Sequence, residues 1–511
     1  MAPFLDDRQS ERQEKDVPPL KLKLEGFIAG ALDIRLQKLR KQSHKTWLAL
    51  GGDSLTAVNF MGFCHDAGIS VDIPDILQSE SIDDLINRIA KSHQSTPTSS
   101  NGIKHSYHNG SSNDYDDLWH YGAPKGPLWE EIGASLGNLD DIEGMAPCSP
   151  MQENFIALQS IDIRAYQLLI AARVSSTNPA VALTTSNVQK CWRAVVKRHT
   201  ALRTMFVESV DRPGKWVQVV KRNIDPQISV ISTSEAENRT SFDGYSSKFP
   251  HHLTLAQAPE QKLLVRLNIS HAIADGMSIQ ILFRDLCREL TGNLAAGESL
   301  PCGGFLQAQQ PDTSRETLTY WMRYMRAIEG TFLSSPSSKS KPTGLYMVDQ
   351  YAPIPSEMTR DLREGFNATL VNACQVAYAM VLRSLTGANS VCFSYTASGR
   401  QKRIKGLRDA PGNFVNTLPC HVDFSDTTTI ADALNRVQTD FLASLPYQGA
   451  NLTDSQEMRG GSVRQLGDSL LSFQREAPET DFDNTGIAVH VDSWEAPTDV
   501  SDVSIQICHK C

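Results

Sequence analysis

Between His93 and Asp117 the chain all but abandons aliphatic residues: Ile103 is the only one in a run otherwise rich in Ser, Asn, His and Gly. A segment of that composition cannot bury enough apolar surface to offset the entropy of ordering it, so it reads as a flexible linker. It divides the 511 residues into a short leading block and a long trailing region. Division is expected on size alone, because one hydrophobic core rarely grows past roughly 250–300 residues.

The two parts differ in periodicity. From about Lys21 to Ser92, apolar residues recur at helical spacing: Leu24, Phe27, Ile28 and Leu32, then Leu55, Val58, Phe60 and Met61, then Ile82, Leu85, Ile86 and Ile89. This predicts a small all-α bundle. Beyond the linker, helical patterns alternate with β-rich runs at Gln167–Val174, Lys262–Ile269, Ser390–Tyr395 and Leu418–Val422, which predicts a large α/β region without internal repeats.

Composition narrows the function classes. A formal net charge of −9 and the lack of an outstanding basic surface argue against a nucleic-acid partner. No apolar stretch reaches the roughly 18–20 residues of a membrane span. Met1–Pro19 is polar and charged, without the apolar core of a signal peptide, so a cytoplasmic protein with no membrane partner is expected. The ten cysteines are scattered rather than spaced as a disulfide framework. Cys508 and Cys511 supply half a zinc site at most, so no metal is expected. Asn-x-Ser/Thr at Asn238, Asn268, Asn367 and Asn451 reads as chance in such a chain.

Two short runs carry chemistry. In Leu50-Gly51-Gly52-Asp53-Ser54-Leu55, the glycines permit a tight turn and Ser54 falls at the start of the next helix. Free backbone N–H groups and the positive end of the helix dipole favour a phosphate there. The same residues are also good capping sequence, with Asp53 or Ser54 as the cap. In Ser270-His271-Ala272-Ile273-Ala274-Asp275-Gly276, a strand-like run delivers a histidine just before a helical pattern. Imidazole titrates nearest physiological pH and suits proton removal from an amine or hydroxyl. Asp275 could fix the loop by an ion pair, and Gly276 would let the backbone pass close by.

The surroundings of both runs resemble nonribosomal peptide synthetases. Trp47-Leu48-Ala49-Leu50 and the stretch from Gly68 to Leu85 resemble fungal thiolation (peptidyl carrier) domains. Pro147-Cys148-Ser149-Pro150-Met151-Gln152-Glu153, Arg198–Phe206, Ser398-Gly399-Arg400 and Gly412–Pro419 resemble condensation-domain motifs, in family order. The resemblance implies a multidomain chain: an all-α four-helix carrier domain over 18–92, a linker over 93–142, and a two-lobed α/β condensation domain of the chloramphenicol-acetyltransferase type over 143–511. Its lobes would span about 143–310 and 311–511, the second cut short within the strand-like run Val503–Cys508. It further implies 4′-phosphopantetheine on Ser54, catalysis by His271, and a structural Asp275–Gly276 pair facing Arg400, with Arg203 as second choice of partner. The Ser270-His271 form, in place of two histidines, resembles terminal condensation-like domains that release products by cyclisation.

The implied reaction is transfer of a peptidyl or aminoacyl group from a thioester to an amine or hydroxyl. Implied partners are a phosphopantetheinyl transferase and upstream adenylation and carrier modules. Two alternatives compete: a non-catalytic carrier-docking module, and a stand-alone coenzyme A-dependent acyltransferase, which would not need the Ser54 block. Other signals read as bland: His199 as structural, His251-His252 as a solvated pair in a loop, and the basic run from Arg400 to Lys405 as a solvated face or a dock for an acidic carrier.

Overall fold

The computed structural model describes residues 19–32, 34–95, 127–209, 214–238, 250–259, 262–326, 328, 330–333, 348, 350, 353–366, 368–425, 429–452, 467–476, 480–482, 485–495 and 503–510. Residues 1–18, most of the expected linker, and Cys511 of the Cys-x-x-Cys pair lie outside them. The chain divides into two units: one joins the leading block to Val348–Ser390 and His421–Leu445, and the other takes the remainder.

In the first unit the helical periodicity becomes α1 (Pro19–Leu32), α2 (Leu36–Lys41), α3 (Ser54–Asp66), α4 (Ile73–Gln78) and α5 (Ile82–Ser95). Among the described residues that is five helices where four were expected. The addition is the six-residue α2, too short to show a period, which buries only Leu39. Leu24 and Ile28 of α1, Phe60 and Met61 of α3, and Leu85, Ile86 and Ile89 of α5 close one core around Trp47. Leu445 joins this core, with Phe441 and Leu442 packed against it from the helix Ile430–Ser444. The leading block is therefore covered on one side by a later segment of the chain.

The second unit is built on three sheets. Its elements begin with α6 (Pro127–Leu136), β1 (Ile142–Pro147), α7 (Pro150–Ile161), β2 (Gln167–Ser176) and α8 (Thr185–Arg198). Strands β3 (Thr204–Glu208), β4 (Trp216–Lys221), β5 (Gln227–Ile231), β6 (His251–Ala258) and β7 (Lys262–Ser270) follow, then α9 (Gly276–Leu290) and α10 (Cys302–Gln309). The later strands are β8 (Ser390–Ala397), β9 (Asn416–Asp423), β10 (Ser469–Glu476), β11 (Thr480–Asp481), β12 (Ile487–Glu495) and β13 (Val503–Lys510). They assemble as a six-stranded sheet β11-β12-β2-β7-β6-β5, a four-stranded sheet β13-β10-β8-β9, and a three-stranded sheet β1-β4-β3. On β7 the alternating Leu263, Val265, Leu267 and Ile269 all face the core, where Trp192 and Val195 of α8 and Ile279, Leu282 and Leu286 of α9 meet them. Antiparallel pairing of β2 with β7 sets Gln167 opposite Ser270, which brings Tyr166 beside His271.

Three expectations are corrected. The segment 93–142 is not all linker: α5 runs to Ser95, and α6 buries Ile132 against Ile142, Val207, Val217 and Val219. The lobe boundary at 310 does not hold for the sheets, because β12 pairs antiparallel with β2 and buries Ile487 and Val489 in the first core. His251 and His252 are neither in a loop nor solvated. They open β6, almost fully buried, with His251 Nε2 2.9 Å from Leu202 O and His252 Nε2 2.9 Å from Ser229 Oγ. The strand start was masked in the sequence by the polar residues before it.

Burial pushes the His251 imidazole down to about 4; the bond to Leu202 O opposes this and His252 adds to it. The folded state therefore keeps His251 neutral at pH values where the unfolded chain protonates it. Stability should be complete above about 6.5, the ordinary histidine value, and decline as pH falls toward about 4. His251→Gln, which retains a donor for Leu202 O, should flatten that decline in melting temperature measured against pH.

Candidate active site

β7 ends at Ser270, and five residues, His271 to the cap Asp275, lead to the start of α9. The His271 backbone N–H donates to Tyr166 O (2.9 Å). Its imidazole lies 4.7 Å from the Phe155 ring and 6.4 Å from that of Tyr166, and Phe155 in turn stacks on Tyr166 at 4.5 Å. The residue as a whole is half-buried, with an aromatic wall on one side of the ring and Nδ1 enclosed. The wall and the backbone bond hold the imidazole in orientation.

Asp275 is committed elsewhere. It caps α9, its Oδ1 accepting from Ser278 N (2.9 Å) and Ser278 Oγ (2.7 Å), while Asp275 N donates back to Ser278 Oγ (3.0 Å). Arg400 Nη2 lies 2.9 and 3.0 Å from the two carboxylate oxygens. Both residues are almost fully buried. Arg400 Nη1 donates to Leu407 O (3.0 Å) and Ala410 O (2.8 Å), and the guanidinium lies 4.7 Å from the centre of the Phe414 ring. Gly399 makes this possible: its φ is +65°, and a Cβ there would lie 1.7 Å from Phe414 O. Gly276 opens α9 directly after the cap. Arg203, the second choice of partner, is instead paired with Glu143 (2.6 Å) and Glu298.

A second buried carboxylate carried no sequence signal. Asp285, ten residues along α9 from the cap, is fully enclosed by Arg198 Nε (3.3 Å), His199 Nε2 (3.1 Å), Arg284 Nε (3.0 Å) and Arg288 Nη1 (3.3 Å). Burial works against its ionisation, but the His199 contact and Arg284 outweigh it and hold the carboxyl well below the usual range. Arg284 reaches on to Asp409 (2.8 Å), in the same loop that supplies two carbonyls to Arg400. The basic run from Arg400 to Lys405 is the solvated face expected of it only at Arg403 and Lys405, which are exposed. Besides Arg400, Lys402 turns inward and donates to Ala308 O (2.6 Å) and Gln310 O (2.7 Å) at the end of α10. Burial pulls its ammonium down to about 8, with Asp312 opposing.

In the first unit, the turn before Ser54 is shaped by Trp47. Gly51 has φ +97°, and a Cβ on Gly52 would lie 2.2 Å from the Trp47 indole. Trp47 Nε1 donates to Asp53 O (3.2 Å). Asp53 is the cap: its Oδ1 accepts from Thr56 N (2.9 Å), and Thr56 Oγ1 accepts from Asp53 N (2.7 Å). Ser54 is thus the first residue of the thirteen-residue α3. Arg363 Nη1 comes within 3.8 Å of where a Gly51 Cβ would lie, so a cation accompanies the turn. A helix start, a tight glycine turn and an adjacent guanidinium suit a phosphodiester.

The family model for the condensation domain matches residues 142–508. FR901469 synthetase of Dothideomycetidae sp. (strain 11243) is 33% identical over 499 residues, 94% of this chain and 3% of that protein. Nonribosomal peptide synthetase cm3A of Cordyceps militaris is 28% identical over 506 residues, 92% of this chain and 10% of that protein. The chain therefore spans a tenth or less of the length of these relatives. The condensation domain of the monacolin K polyketide synthase MokA superposes with a TM-score of 0.54 at 16% identity, covering 72% of this chain and 90% of that one.

Asp275→Ala should lower unfolding free energy by about 3–5 kcal/mol, since it leaves Arg400 charged and buried without its carboxylate. Asp275→Asn keeps a capping oxygen and should recover about 1 kcal/mol of that loss. Denaturant midpoints at unchanged m-value measure both.

Proposed function

The chain belongs to the condensation-domain family, and on that premise we propose that it is a carrier–condensation didomain of a nonribosomal peptide synthetase. In this reading residues 18–92 form the peptidyl carrier and the fold from 143 onward the transferase. One observation carries it: a half-buried histidine at a strand end, on a loop whose aspartate is fully engaged by a buried arginine and a helix cap. The carboxylate serves structure, and His271 is left to move the proton.

Phosphopantetheine on Ser54 would supply a thiol that holds an acyl chain as a thioester. The glycine turn, the start of α3 and Arg363 are the residues that would hold its phosphate. In the transfer, an amine or hydroxyl forms a bond to the thioester carbonyl carbon and the carbon–sulfur bond breaks. His271 takes the proton of the nucleophile and returns it to the departing thiolate. Asp275 and Arg400 hold the helix on which the loop ends, and Phe155 with Tyr166 holds the ring. With serine preceding the histidine, an internal nucleophile and cyclising release is the first reading; condensation with a second carrier is the other outcome. A phosphopantetheinyl transferase, adenylation modules and upstream carriers are the partners this function requires.

Treatment with a phosphopantetheinyl transferase and coenzyme A should add about 340 Da to the intact mass, the increment of that covalent group. Ser54→Ala should stay unmodified, and gain of the arm by that variant would sink the assignment. With a peptidyl thioester loaded, His271→Ala should release product more slowly by on the order of 10²–10⁴-fold. Mass analysis separates the routes, because a cyclic product is lighter than the hydrolysed acid by one water. Turnover of His271→Ala at the wild-type rate would remove the histidine from the mechanism.

A further inference from the structure

Gln152 and Gln159 lie seven residues apart on α7, two helical turns, and so share one face. Phe155, which backs the His271 ring, lies between them on the same side. Gln159 Nε2 donates to Tyr166 O (3.1 Å), the carbonyl that also takes the His271 N–H, and its Oε1 accepts from Ser270 Oγ (3.1 Å). Ser270 Oγ accepts in turn from Ala272 N (3.1 Å). Gln152, fully buried, uses both ends of its amide. Oε1 accepts from Ser149 N (2.8 Å), closing the capping box of α7, and Nε2 donates to Ala272 O (3.1 Å). Gln218 Oε1 lies 3.4 Å from the same Nε2, and Gln218 Nε2 donates to Pro147 O (3.1 Å).

We propose that Gln152 and Gln159 are positioning residues that clamp the backbone on both sides of His271, so that one helix fixes the place of the imidazole. The clamp reaches Ser270 before the histidine, its own N–H through Tyr166, and both the N–H and C=O of Ala272 after it. Tyr166 has a φ of +52°, the one positive value at a non-glycine among the described residues. Such a conformation persists where the surroundings over-determine it, and Gln159 with the His271 N–H does so. Amides are required because each position must donate and accept at once, which neither a carboxylate nor an alkyl chain can do. Loose positioning matters because misplacement of a reacting group by about 1 Å can cost on the order of 10²-fold in rate.

The inference rests on His271 being the base, and two variants test it. Gln152→Glu retains the acceptor for Ser149 N, hence the capping box, but as a carboxylate has no proton for Ala272 O. Gln159→Leu removes both bonds at a half-buried position, where folding is least at risk. Gln152→Glu encloses an unpaired charge opposite two oxygens and should melt earlier, whereas Gln159→Leu should melt near wild type; in both, amide hydrogen exchange at residues 271 and 272 should quicken. In a single-turnover and steady-state assay with a loaded thioester, kcat should fall on the order of 10²-fold with KM unchanged. Should Gln152→Glu fail to fold, Gln159→Leu decides. Wild-type exchange at residues 271 and 272 in a folded Gln159→Leu protein overturns the clamp. If wild type itself does not turn over, the proposed function fails, yet quickened exchange in the variants still supports the clamp.

Discussion

The buried pair of Asp275 with Arg400 is the contact on which the transferase architecture turns. Isolated, either charge would be prohibitive to enclose, and each is enclosed with further partners: Ser278 on the carboxylate, two carbonyls on Nη1 and the Phe414 face on the guanidinium, with Arg400 Nε buried without an acceptor among the described residues. One end of the pair caps α9, four residues after His271; the other lies 125 residues later in sequence, just after β8. The bond thus fastens the helix after the His271 loop to a segment from the far half of the chain. Gly399 admits the geometry, and the Asp285 cluster repeats the device farther along α9 by drawing Arg198, His199 and Arg284 onto one carboxylate and passing on to Asp409.

Two kinds of restraint therefore meet at His271. Ion pairs, strong only because they are desolvated, hold the helix behind it. Neutral amides from α7 hold the turn itself, and an aromatic wall orients the ring.

The sequence made the frame legible wherever local chemistry and periodicity agreed. Leu263, Val265, Leu267 and Ile269 alternate as a strand should, and a helical pattern follows Gly276, although the capping box of Asp275 with Ser278 is known only from the structure. Gly51 and Gly52 announced the turn before Ser54, although the reason for Gly52, the indole of Trp47, is a packing fact. What stayed hidden depends on partners distant in the chain. Gln159 carries no charge or pattern that distinguishes it from a surface glutamine, and Gln152 stood out only as one member of the Pro147–Glu153 run. Asp285 acquires its meaning from residues 87 positions before it and 124 after it. β12 joins the first sheet through pairing with β2 across more than three hundred residues, which no local period reports. Lys402 read as a surface charge because its acceptors are backbone carbonyls, which a sequence does not display.

The central claim is that His271 acts as a base on a thioester held by this chain. It is tested most directly by the single-turnover rate of the loaded protein as a function of pH. The account predicts a rate that rises with pH through one ionisation in the imidazole range, where proton removal becomes possible, and His271→Ala should lose that limb along with most of the rate. A wild-type rate independent of pH across that range, or an identical limb in His271→Ala, would contradict it.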